Sequence, residues 1–170
     1  MRAHEPIQVG ELCRRLGTPY RHARYVLEEG YLPAGADPEP GHGHHRQLVP
    51  AQAFWLAIVL KLKDSAVKTP LAARIADFAR EAVRTVGRQM GWDPGFAPFD
   101  GHLATERRWY VDVGDLGFIR LVTDACPSRA GLHEFHWAPL DRPREAAPLA
   151  APSVIVRVDL TRIARLLLVS

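Results

Sequence analysis

Cysteine is nearly absent: Cys13 and Cys126 are the only two in 170 residues, too few and too far apart for a disulfide framework or a metal knuckle. Lysine is almost as scarce. It is confined to Lys61, Lys63 and Lys68, so arginine supplies nearly all of the 22 basic residues. The longest apolar run, Ala53 to Leu60, falls far short of the roughly 20 residues that a membrane-spanning helix needs, and no signal-peptide pattern opens the chain. These absences imply no membrane partner and a reducing, cytoplasmic setting. Aromatic residues make up 8% and charged residues 24%, ordinary values that exclude a disordered, collagenous or coiled-coil class. Catalytic signatures are missing too. There is no Walker loop, nucleophile elbow, HExxH or GxGxxG after a strand, which argues against an enzyme and implies no cofactor. Scattered carboxylates such as Asp112, Asp115 and Asp159 read as turn or cap residues.

What is present is enough apolar material, 47% of the chain, for one globular domain or two small ones. The formal net charge is only +3, which by itself gives no hint of a polyanionic partner. Its distribution is more informative. From Leu12 to Leu27 the chain carries Arg14, Arg15, Arg21 and Arg24 and no acid, and residues 51–91 are again rich in cations. Residues 92–170 are close to balanced. Local fields steer polyanions, so the first half is where such a partner would bind.

Hydrophobic periodicity divides the chain. Val9, Leu12, Cys13 and Leu16 lie on one face of a short helix that Gly17 stops. Thr18-Pro19 reads as a cap followed by proline at the first position of a second helix, with Tyr20, Ala23 and Leu27 on its inner face and Gly30 at its end. So short a connection makes the two helices cross sharply. Residues 34–45 read as a Gly/Pro/His-rich loop. A third helix, about Ala51 to Asp64, is apolar nearly all round and therefore buried. Thr69-Pro70 repeats the cap-plus-proline start, and a fourth helix follows with a stripe at Leu71, Ile75, Phe78, Ala82 and Val86. Its other side carries Arg80, Arg84 and Arg88 in a row, which reads as a solvated face.

Beyond Gly91 the pattern changes. Residues 92–104 read as a linker, after a first domain of residues 1–91. In the second, residues 105–170, the period is two: 109–113 and 118–123 form a hairpin around Gly114-Asp115-Leu116-Gly117. Leu132 to Trp137 is a candidate third strand and Val154 to Val158 the clearest one. Asp159 then caps a closing helix with Leu160, Ile163, Ala164 and Leu167 inward. The fold class is α+β.

The segment Gly10 to Pro33, GELCRRLGTPYRHARYVLEEGYLP, resembles the opening of the MerR family of winged helix-turn-helix regulators. There, GELA-x-x-x-G is followed by R-x-x-RY and then by EGL-hydrophobic-P. Arg46 stands where the family's wing arginine precedes the third helix, Lys61-Leu62-Lys63-Asp64 is similar to its LRD segment, and Leu71 and Ile75 to anchors of its fourth helix. The resemblance covers residues 7–80, and phage excisionases and some phage small terminases resemble the same fold. It implies a recognition helix at about 19–29 in the major groove of double-stranded DNA and a wing over 34–49 on the backbone or minor groove. Position by position, it makes Arg21 and His22 base readers, Arg24 and Tyr25 a phosphate clamp and Arg46 the wing contact. Arg14, Arg15, Tyr20, His44 and His45 complete the expected DNA-binding set. The implied role is a DNA-binding transcription regulator in the nucleoid. Two alternatives remain: an architectural DNA adaptor that recruits a protein, and a protein-interaction module without DNA, such as an inhibitor or antitoxin.

The chain departs from that family in three places. Its wing loop is longer, His45 replaces the aromatic beside the wing arginine, and Gly91 and Pro94 stop the fourth helix where family dimers carry a long coiled coil. A homodimer would then use residues 105–170, the module that would also receive a small-molecule or protein effector. Trp109, Tyr110, Phe118, Phe135 and Trp137 could line an effector pocket, but read first as core. His42, His44 and His45 could ligate a divalent metal, yet adjacent histidines in a glycine-rich loop do not converge without a remote further ligand, so no metal is expected.

Overall fold

The computed structural model describes residues 6–32, 46–89, 108–124, 133–141 and 152–168, without the side chains of 86–89, 133 and 168. Among these residues the fold is α+β, with five helices and two antiparallel sheets. They form two compact units: residues up to 80 together with those from 162 onward, and residues 81–161. Sequence periodicity instead ends the first domain at residue 91 and gives the whole C-terminus to the second. The expected linker lies outside the described residues.

In the first unit, β1 (Ile7–Gln8) leads into α1 (Val9–Leu16), followed by α2 (Tyr20–Glu28), β2 (Gln47–Leu48), α3 (Pro50–Asp64) and the part of α4 (Thr69–Gln89) up to Arg80. β1 and β2 pair antiparallel, Ile7 opposite Leu48. The predicted stripe of α1, Val9, Leu12, Cys13 and Leu16, is buried. Gly17 ends that helix in the left-handed region at φ 67°. There the Thr18 N–H reaches back to the Cys13 carbonyl at 3.0 Å. α2 starts at Tyr20, later than expected, and Pro19 holds the cap position without a side-chain cap bond. The Thr18 hydroxyl donates to Asp64 Oδ2 at 2.6 Å, which fixes its rotamer toward the end of α3 rather than over the first turn of α2. Ala23 and Val26 form the buried face of α2, while Tyr20 and Leu27 are only half-buried.

α3 is buried on all sides from Ala53 to Leu60, as its composition predicts. Each fully buried Leu, Ile or Phe there contributes about 1.5–3 kcal/mol, and α1, α2 and α3 pack on one another. The stripe of α4 differs from the expected one. Ala72, Ile75, Ala76, Ala79 and Val83 are buried, and Leu71, Phe78 and Ala82 are half-buried. Three of these five buried residues are alanines, which a search for large apolar side chains passes over. Arg80, expected on a solvated row, is half-buried and pairs with Asp77 at 3.2 Å. The last helix, α5 (Leu160–Leu168), belongs to the first unit from Arg162 on. Ile163, Ala164 and Leu167 are buried as predicted, and Arg15 Nη1 donates to the Leu167 carbonyl at 3.0 Å.

The second unit is built on β3 (Trp109–Gly114), β4 (Phe118–Thr123), β5 (His133–Glu134), β6 (Ala138–Pro139) and β7 (Ile155–Asp159). The order is β5-β4-β3-β7, with β6 also on β4. The predicted hairpin is present, Trp109 opposite Thr123 and Gly114 opposite Phe118. Its turn puts Asp115 and Leu116 at φ 48° and 54°, the double left-handed geometry that matches strand twist. The single strand expected over 132–137 is instead β5 and β6, both on β4, with Trp137 in the interruption. One sheet face, from Trp109, Val111, Val113, Ile119 and Leu121, is buried. At Gly114 a β-carbon would stand 2.8 Å from the Pro152 ring and 3.1 Å from Trp137, so close packing requires glycine there.

Candidate nucleic-acid interface

The residues expected to touch DNA converge only in part. α2 is short, and the burial of Ala23 and Val26 turns Arg21, Arg24 and Tyr25 outward. Their i, i+3, i+4 spacing puts them on one exposed face. The first turn of α2 holds no acid, so the positive end of the helix dipole and Arg21 act in the same direction on an anion. Arg21 is exposed and has no ion pair or hydrogen bond among the described residues.

The other members of the set are engaged within the protein. Arg24 is 67% exposed, and its Nε donates to Glu28 Oε1 at 2.7 Å, which raises its pKa. An exposed pair of this kind is weakened by solvent screening, so a phosphate can replace the carboxylate. The Tyr25 ring lies 5.9 Å from that of Tyr31, with Lys63 Nζ 5.3 Å from its centroid. The neighbouring Tyr31 and partial burial push the Tyr25 phenol above its ordinary pKa. Tyr20 is half-buried.

His22, expected to read a base, is turned inward. Its Nδ1 is buried without a hydrogen-bond partner among the described residues, 3.7 Å from Asp64 Oδ1, too long for a hydrogen bond. Lys61 joins the same cluster. Its Nζ lies 3.5 Å from Asp64 Oδ2 and donates to the Leu16 carbonyl at 2.5 Å. Asp64, at the end of α3, therefore gathers Thr18 from the turn, His22 from α2 and Lys61 from its own helix. His22 is a positioning residue of α2 in this arrangement.

Arg14 is exposed and forms a fork with Glu11 at 2.8 and 2.7 Å. Arg15 meets the same carboxylate at 2.6 Å and is mostly buried by its contact with α5. Hydrogen bonds from Arg15 and then Arg14 lower the pKa of Glu11. Arg15 thus anchors the fold. Arg46 is half-buried, and its carbonyl accepts the Val9 N–H at 3.1 Å, fixing the foot of β2 at the start of α1. His42, His44 and His45 lie outside the described residues. No group of three His, Cys, Asp or Glu able to hold a metal occurs among those that are described. No helix there is long and apolar enough to cross a membrane.

No family model, curated protein or solved structure matches this chain.

Two charged features escape a reading of the sequence. Lys63 lies beside Tyr25, and only its place in the Lys61–Asp64 segment marks it. The second is Asp112, which is not in a turn but fully buried in the middle of β3. It stands opposite Arg120 on β4 and Arg157 on β7. Arg157 binds it through Nε at 2.6 Å and Nη2 at 2.7 Å, and Arg120 through Nε at 3.1 Å. Arg120 also forks onto Glu134 at 2.6 and 3.0 Å. The two guanidinium groups lie over aromatic rings, Arg120 4.5 Å from Trp137 and Arg157 5.2 Å from Tyr110. Asp115 and Asp159 do lie in the hairpin turn and before α5.

Proposed function

We propose that the first unit binds double-stranded DNA and that the chain is a DNA-binding transcription regulator of the cytoplasm and nucleoid rather than an enzyme. The observation that carries this reading is Arg21, an exposed arginine without an internal partner among the described residues, on the acid-free start of α2. Arginine at such a position can pair bidentately with guanine O6 and N7, worth about 1–3 kcal/mol of discrimination. Around it, Arg24, Tyr25 and Lys63 supply contacts for phosphates, which fix register without reading sequence. α1 and α3 hold α2 by its apolar face, and the Asp64 cluster sets its first turn. The resemblance assigns Arg46, His44 and His45 to a wing over 34–49, of which His44 and His45 lie outside the described residues.

The test is selection of bound fragments from random double-stranded DNA, with wild type and Arg21→Ala in parallel. The reading expects an enriched motif with wild type and a relaxed preference at one or two positions with the variant. Failure of wild type to enrich any DNA would overturn it and favour a protein-interaction role.

A further inference from the structure

The geometry points to Asp64 as a specificity-determining residue that acts without touching DNA: we propose that its carboxylate fixes the rotation of α2 and thereby the aim of Arg21 at a base edge. The inference rests on the DNA reading of α2 and goes beyond it by separating base discrimination from affinity.

Apolar packing gives α2 a thin grip. Only Ala23 and Val26 of that helix are buried, both near its middle, and Leu27 is half-buried. The far end is closed by Gly30 at φ 67°, where the Tyr31 N–H donates to the Val26 carbonyl at 2.9 Å. The start has no comparable closure of its own, because Pro19 brings no side-chain cap bond.

Asp64 supplies what the start lacks. Its Oδ2 accepts the Thr18 hydroxyl at 2.6 Å in the turn that leads into α2. The same oxygen stands 3.5 Å from Lys61 Nζ, which in turn donates to the Leu16 carbonyl at the end of α1. Oδ1 faces His22 Nδ1 at 3.7 Å, one residue beyond Arg21. Thr18 is buried and the Asp64 side chain is only 27% exposed, so solvent screens these contacts less than it screens the pair of Arg24 and Glu28. The charge also bears on α1: burial first, and Asp64 second, push the Cys13 thiol above its ordinary range. One carboxylate at the end of α3 therefore sets the end of α1, the turn and the first turn of α2 against a single point.

The two kinds of contact proposed for this face differ in tolerance. Bidentate pairing of an arginine with guanine needs two N–H groups aligned at once. Contacts to phosphates depend mainly on charge and carry no sequence information. A small rotation of α2 thus costs base discrimination before it costs phosphate contact. Removing Asp64 also removes a negative charge beside α2, which favours every phosphate alike.

The test compares dissociation constants for a site selected by wild type, for that site with the Arg21-dependent base pair changed, and for random duplex. The proteins are wild type, Asp64→Ala, Asp64→Asn and Thr18→Val. The ratio of the constants does not depend on the fraction of protein that is folded, so lost stability alone leaves it unchanged. Asp64→Ala should lower the ratio about tenfold, bind random duplex at least as tightly as wild type and keep its salt slope. Asp64→Asn retains an oxygen for Thr18 and should lose less, as should Thr18→Val. In the Asp64→Ala background Thr18→Val should add nothing, since the two act through one bond. A wild-type ratio in the Asp64 variants would overturn the proposal and leave the DNA reading standing. If Asp64→Ala does not fold, Asp64→Asn and Thr18→Val decide by the same criterion. A wild type that prefers no sequence would overturn the DNA reading and this proposal with it.

Discussion

Thr18 donates its hydroxyl to Asp64 across the first unit at 2.6 Å, tying the turn between α1 and α2 to the end of α3. Thr18 is buried, so Thr18→Val keeps its shape and removes only the bond. A hydrogen bond to a charged group contributes about 1.5–3 kcal/mol. Urea unfolding should show a lower midpoint at an unchanged slope. An unchanged midpoint would mean that the turn is held by packing alone.

The buried carboxylate of the second unit makes an asymmetric prediction. Asp112→Ala leaves Arg120 and Arg157 facing each other without their shared counter-charge and should cost about 3–5 kcal/mol. Replacing all three together by well-packed apolar residues should recover most of that loss, because the desolvation cost disappears along with the attraction. Thermal melts of the single and triple variants compare the two directly.

Backbone conformation gives a pair of opposite effects. Ala66, exposed, sits at φ 64° just beyond α3, where the Val67 N–H bonds back to the Leu62 carbonyl. A left-handed alanine is strained by about 1–2 kcal/mol, so Ala66→Gly should stabilise the fold, less the entropy that glycine loses. Gly17→Ala should destabilise it by a similar amount, since the same conformation closes α1. Equal melting temperatures for both variants would refute this explanation of the helix ends.

Acid stability should carry the signature of Glu11. Its folded pKa lies below the ordinary 4.5 because Arg15 and Arg14 hydrogen-bond the ionised form. The contribution is therefore complete above about pH 4.5 and is lost as pH falls through the lower folded value. Glu11→Gln should flatten the dependence of stability on pH in that acid window and leave the slope near neutrality unchanged. An identical acid limb in the two proteins would mean that Glu11 contributes nothing there.

Period and punctuation make the local structure legible. Val9, Leu12, Cys13 and Leu16, the wholly apolar α3, the hairpin turn at Asp115 and Leu116, and the inner face of α5 all follow from spacing and residue type. Long-range partners are not legible. Nothing local distinguishes a threonine that caps α2 from one that finds Asp64, 46 positions away. Period two puts Asp112 on the outer face of β3, and only the register with β4 and β7 shows two arginines burying it. The site is half legible for the same reason. Exposure of Arg21 and Arg24 follows from the apolar spacing of α2, whereas the inward turn of His22 and the anchoring of Arg15 depend on α3 and α5.

Contact between the α2 face and the phosphates of double-stranded DNA is tested most directly by salt titration. The dissociation constant for a selected site is measured across a range of salt concentrations, for wild type and Arg24→Ala. Each neutralised phosphate contributes about −0.9 to the slope of log affinity against log salt. The expected wild-type slope is about −3 or steeper, reduced by roughly one contact in the variant. A flat dependence, or binding no tighter than to a neutral competitor, would rule out this face as a DNA-binding surface.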